Sequence, residues 1–115
     1  MLAKRFRFHG YGSLKYTYNK GVAVRARSCN LKYVHNPKRD DGRLAIVVAK
    51  KVSKKAPVRN RIRRRLYESM RQHWPMLKPN YDMVLTVFDD SLADISPDEL
   101  NKTVVELLTK ANLYK

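Results

Sequence analysis

Acidic residues are nearly absent where this chain is most basic. Residues 1–75 hold 21 Lys and Arg against three acids, Asp40, Asp41 and Glu68, and no acid lies between Asp41 and Glu68. Two-metal phosphodiester chemistry needs several carboxylates converging from different elements, so this part of the chain cannot supply it. Cysteine is equally sparse: a lone Cys29 rules out an internal disulfide and a structural zinc site, and fits a reducing, cytoplasmic setting. No apolar run approaches the roughly 18 residues of a membrane span. The start, MLAKRFRFHGYG, lacks an apolar signal segment, so neither membrane nor export is expected. Phosphate-cradling loops of the GxxxxGK[ST] or GxGxxG type are missing, and His9, His35 and His73 have no partner at ligand spacing. Asp82, Asp89 and Asp90 are the best remaining carboxylates, and they suit turns and helix caps better than a metal. No catalytic residue and no protein-held metal are assigned.

What is present is cation. Of the 25 Lys and Arg in the 115 residues, nine fall among the sixteen from Lys50 to Arg65. The net charge of +15 divides unevenly, +18 over residues 1–75 and −3 over 76–115. A cluster of this density repels itself and implies a polyanion lying against it. Val58, Ile62, Leu66 and Met70 recur every four residues, predicting one amphipathic helix from Pro57 to about Trp74. Ser69 and His73 share its apolar arc, with His73 a boundary histidine. Asn60, Arg61, Arg63, Arg64, Tyr67 and Arg71 fall on the other side, and Arg59 at the margin. Pro57 suits the first turn, and the helix start adds unpaired N–H groups that attract phosphate. The helix has no broad aromatic face opposite its charges, which argues against a lipid surface.

The rest of the chain supplies a scaffold. Residues 1–12 alternate basic and aromatic side chains and read as an arm, flexible in isolation and suited to RNA by charge and stacking. Ser13 and Gly21 bracket a short helix from Leu14 to Lys20. Val22–Arg27 is extended, and Cys29–Val34 alternates as a strand. Leu44–Ala49 is a continuous apolar run, expected as a central strand buried on both faces. Tyr81–Phe88 follows as a second buried strand, and Ser96-Pro97-Asp98-Glu99 opens a last helix running to about Asn112. The order α-β-β-β-α-β-α, over one domain of 1–115, predicts helices packed on a sheet, an α/β sandwich.

Within that frame, VRNRIRRRLYE, following KKVSKKA, resembles the signature of the protein subunit of bacterial ribonuclease P. LAKRFRF, LKYTYNKG, RLAIVVAKK, YDMVLTVF and SPDELNKTVVELLTK match the family in order and spacing, so the similarity covers most of the chain. The resemblance implies a two-layer α+β fold with a mixed four-stranded sheet and a left-handed β-α-β crossover, similar to the second domain of a small-subunit ribosomal protein. It also implies an RNA-binding subunit whose RNA partner, using Mg²⁺, removes the 5′ leader of precursor tRNA, with no obligatory protein partner. By the motif, Lys50, Lys51, Lys54, Arg59, Asn60, Arg61, Arg63 and Arg64 face the catalytic RNA. Leu14, Tyr18 and Lys32 fall where the family lines its leader cleft. The chain has Leu14 and Lys32 where the family commonly has aromatic residues, and Ser53 and Tyr67 where it commonly has Gly and Arg. A ribosomal protein or general RNA chaperone of similar fold is the alternative.

Overall fold

The computed structural model describes residues 6–8 and 12–115. Most of the proposed arm, residues 1–5 and 9–11, therefore lies outside the described residues. Helix α1 (Gly12–Lys20) leads to strands β1 (Val22–Arg25), β2 (Cys29–His35) and β3 (Arg43–Val48). Helix α2 (Ala56–His73), strand β4 (Tyr81–Val87) and helix α3 (Pro97–Lys110) complete the order, with 3-10 turns at Trp74–Met76 and Asp90–Ala93.

The strands form one mixed sheet in the order β1-β2-β4-β3, antiparallel except for the β3–β4 pair. Register aligns Leu31 with Leu85, Cys29 with Val87, Leu44 with Met83 and Ile46 with Leu85, so one sheet face is continuously apolar. Ile62, Leu66 and Met70 of α2 and Leu100, Val104, Leu107 and Leu108 of α3 join those strand residues in a single buried core. Each fully buried Leu or Ile contributes about 1.5–3 kcal/mol, and this cluster holds α2 in place. The four-residue spacing seen in the sequence is thus the core face of α2. At α3, Ser96 caps as expected, its Oγ accepting from Glu99 N–H at 3.2 Å.

Helix α1 lies on the opposite sheet face, against β2 and β4, with Thr17 buried. Gly21 closes it, donating its N–H to Thr17 O at 2.9 Å. A Cβ there would sit 2.5 Å from that same oxygen, so the turn into β1 requires glycine.

Strand β3 departs from expectation. It is an edge strand, with Ala45 and Val47 only half-buried; β2 and β4 are the inner strands. The unbroken apolar run misled because Ala45 and Val47 face a part-covered surface where small or β-branched residues are tolerated. The outer edge of β3 is nevertheless covered. Arg7 bridges to Leu44 in parallel fashion, and Tyr67 Oη accepts from Ile46 N–H at 3.3 Å. Phe6 packs on Trp74 with ring centroids 5.5 Å apart, and the Arg43 guanidinium lies 4.7 Å from the Phe8 ring centre.

Candidate nucleic-acid interface

Helix α2 leaves the core after β3 with its most basic turns first. Lys55 precedes it without a side-chain cap, Pro57 occupies the first turn, and no acid lies there to offset the positive helix end. Lys50, Lys51 and Lys54, in the loop before it, are all exposed. Arg59 is half-buried, and its Nη1 donates to Ser53 O at 2.7 Å, tying the loop to the helix. Asn60 and Arg64 are exposed, and Arg63 donates to Asn60 Oδ1.

Arg61, though exposed, and half-buried Arg65 reach across to the segment before α3. Arg61 Nε donates to Ala93 O at 2.7 Å. Arg65 Nη1 donates to Leu92 O at 2.6 Å, and its Nη2 donates to Ile95 O. The 3-10 turn Asp90–Ala93 and the residues after it would otherwise leave these carbonyls without partners, and guanidinium donors suit that need. The predicted set therefore divides. Half-buried Arg63 and exposed Arg64, with Asn60, form an outer row without backbone anchors, while exposed Arg61 and the unassigned, half-buried Arg65 are anchored to backbone carbonyls.

Two contributors were not legible as interface residues. Tyr67 is half-buried at the margin of the core rather than on the open polar side. Burial pushes its phenol upward, against the lowering influence of the N–H it accepts from Ile46 and of Arg7 and Arg63 nearby. Arg7, held by its bridge to β3, lines a shallow concavity with Asn60, Arg63, Arg64 and Tyr67. The alternation of basic and aromatic residues in the arm was the only sequence signal for Arg7.

Acid is scarce on this surface. Glu68 pairs with Arg71 one turn on, Oε1 to Nη2 at 2.5 Å, and this bond holds its carboxyl down to about 2. Of the candidate carboxylates elsewhere, Asp82 and Asp89 have structural partners. Asp82 is buried and accepts from Arg43 Nε at 2.9 Å, Arg43 Nη2 at 2.7 Å and Asn36 Nδ2 at 3.0 Å. Asp89 caps the 3-10 turn, accepting from Ser91 N–H at 3.0 Å; the Ser91 hydroxyl is the main cause of its lowered carboxyl. His73 is a boundary histidine, bonded to Asn101 Oδ1 at 2.7 Å and to Tyr114 Oη at 3.1 Å.

On the far side of the sheet, the predicted leader-cleft residues meet in part. Lys32 Nζ donates to the Tyr18 carbonyl at 3.0 Å and lies 3.8 Å from the centre of the Tyr18 ring. Tyr18 remains 45% exposed, leaving ring surface for a second contact. Leu14, half-buried, stands one turn from Tyr18 on the same helix face.

A family model described as Ribonuclease P matches residues 2–112. A "Ribonuclease P protein component" of Synechocystis sp. is 30% identical over 91 residues, covering 79% of this chain and 73% of the relative. One of the same description from Oceanobacillus iheyensis is 29% identical over 114 residues, covering 99% and 93%. Among solved structures, the RNase P protein of Staphylococcus aureus superposes with a TM-score of 0.83 at 23% identity, covering 96% of this chain and 98% of that one. That of Thermotoga maritima gives 0.79 at 20% identity, covering 90% and 96%. The fold is the same in all three. With the matched model running almost end to end through the basic helix and both flanking strands, the chain belongs to the ribonuclease P protein family.

Proposed function

We propose that the chain works as the RNA-binding subunit of ribonuclease P, in which an RNA partner hydrolyses precursor tRNA to release the 5′ leader. Lys50, Lys51, Lys54, Arg59, Asn60, Arg61, Arg63 and Arg64 contact that catalytic RNA in this reading. Leu14, Tyr18 and Lys32 hold the leader, with Lys32 supplying charge and Tyr18 a stacking face. The observation that carries it is the exposed cationic row of α2, unopposed by acid and fixed to a rigid core.

The chemistry in this reading belongs to the RNA and its Mg²⁺. Of the three candidate carboxylates, Asp82 is engaged by Arg43 and Asn36 and Asp89 by Ser91. What the protein supplies is neutralisation of phosphate charge and positioning. Cations on α2 release counterions from the RNA, and a held leader orients the scissile bond without further loss of entropy. Both effects reduce the Mg²⁺ the RNA needs. No helix among the described residues is long and apolar enough to cross a membrane, and this reading sets the chain in the cytoplasm with its RNA.

The test is cleavage of precursor tRNA by the cognate ribonuclease P RNA in low Mg²⁺, with and without the protein. Strong stimulation is expected. Tight RNA binding without stimulation would instead support a chaperone or ribosomal role.

A further inference from the structure

Helices α2 and α3 diverge to leave a groove of about 510 Å³, within the range of small-ligand sites. Its chemistry changes along its length. Arg61, Arg64 and Arg65 line one end, and Gln72 and Asn101 line the other, over a floor that includes Leu100. The two ends come nearest at Arg65 and Gln72, seven residues or about 10 Å apart along the axis at 1.5 Å per residue, so they serve separate groups. The guanidinium groups of Arg61 and Arg65 are held by the carbonyls of Ala93, Leu92 and Ile95, which fixes them in advance. A guanidinium has five N–H donors, so each keeps several for a ligand.

The far end is neutral and hydrogen-bonding. Asn101 gives its Oδ1 to His73, leaving its amide N–H groups. Gln72 is exposed and makes no hydrogen bond among the described residues, so its amide offers both a donor and an acceptor. Glu68 also lines the groove, but its carboxylate is held by Arg71. Ser69 lies beneath, 7% exposed, with a hydroxyl lacking a partner. Cation at one end, amides at the other and an aliphatic floor between match a nucleotide better than a bare anion.

We propose that this groove takes one unstacked nucleotide of an RNA strand, with its phosphate against Arg61, Arg64 and Arg65 and its base edge against Gln72 and Asn101. The proposal rests on the RNA-binding reading above and adds to it a contact made to a base rather than to charge alone. Single-stranded RNA is read in this way, through splayed bases bonded along their edges.

The full chain is titrated with AMP, and separately with inorganic phosphate, while the side-chain amide and guanidinium N–H resonances are followed by NMR. AMP should shift the amides of Gln72 and Asn101 together with the arginine signals, whereas phosphate should shift the arginines only. Gln72→Ala, at an exposed helix position, should weaken AMP by about fivefold, roughly 1 kcal/mol, and leave phosphate binding unchanged. Circular dichroism confirms that this variant is folded. Equal affinity for AMP and phosphate, or no effect of Gln72→Ala, would overturn the proposal. Binding of the ribonuclease P RNA is measured alongside. Intact RNA binding with no AMP response at the amides sinks the groove alone, whereas loss of RNA binding by the wild-type chain sinks the functional reading itself.

Discussion

Arg64 and Arg65 are neighbours on one helix in different surroundings. Arg64 is exposed and makes no hydrogen bond or ion pair among the described residues, while Arg65, half-buried, donates to two backbone carbonyls 27 and 30 residues further along the chain. The same residue type in the same basic run is left open to solvent in one case and bonded to the fold in the other. Charge density alone therefore overstates the RNA contact. Part of the +18 in residues 1–75 also serves the fold, so fewer donors are left for phosphate than the charge count suggests.

The sharpest test of that division uses the most internal arginine. Arg43 is 8% exposed and bonded twice to buried Asp82. Arg43→Ala should lower unfolding free energy by about 3–5 kcal/mol, since it strands a buried carboxylate. Urea denaturation reads this; a loss below 1 kcal/mol would mean that the pair is solvated. Next comes Arg65→Ala, with an expected loss of about 2–3 kcal/mol from its charged hydrogen bonds. Once the variant is folded, its slope of RNA binding against salt should fall by less than that of Arg64→Ala.

Arg64→Ala should do the reverse. Stability should stay within about 0.5 kcal/mol of wild type, while binding to the ribonuclease P RNA weakens by about 1–3 kcal/mol. If the basic surface neutralises about five phosphates, log K should fall against log salt with a slope near −4 to −5, and Arg64→Ala should reduce that slope by about one. The smallest effect belongs to Glu68, the only acid on α2. Arg71 holds its carboxyl at about 2, below the ordinary value, so it stays charged and paired until pH falls towards 2. RNA affinity should therefore show no step from Glu68 between pH 7 and 5, and Glu68→Gln should raise it by less than about twofold. A step near pH 4.5 that disappears in Glu68→Gln would mean that the pairing does not form in solution.

The same contrast explains what the sequence could and could not show. The core face of α2 was legible because Val58, Ile62, Leu66 and Met70 carry their own period. The Ser96 cap and the turn before β4 were local too: Asn80 takes a φ of 70°, which asparagine tolerates. The split among the arginines was not legible, because it depends on carbonyls of the Asp90–Ala93 turn brought alongside α2 by the fold. A wheel separates apolar from polar positions but cannot say which polar side chains meet another segment. Strand β3 failed for a related reason: edge or centre is a property of the sheet, and LAIVVA suits either. Tyr67 was placed on the open side by angle, yet its phenol reaches back to the outer edge of β3. Lys32 and Tyr18 were named separately for the leader cleft, and their mutual contact follows from α1 folding onto β2.

The most direct test is equilibrium binding to the ribonuclease P RNA across a salt series, comparing wild type with the double variant Arg63→Ala/Arg64→Ala. The account predicts a shallower slope, by about two, with weaker binding at every salt concentration and an unchanged urea midpoint. Wild-type affinity and slope in a variant that remains folded would contradict it, because the exposed row of α2 would then not be where the RNA lies.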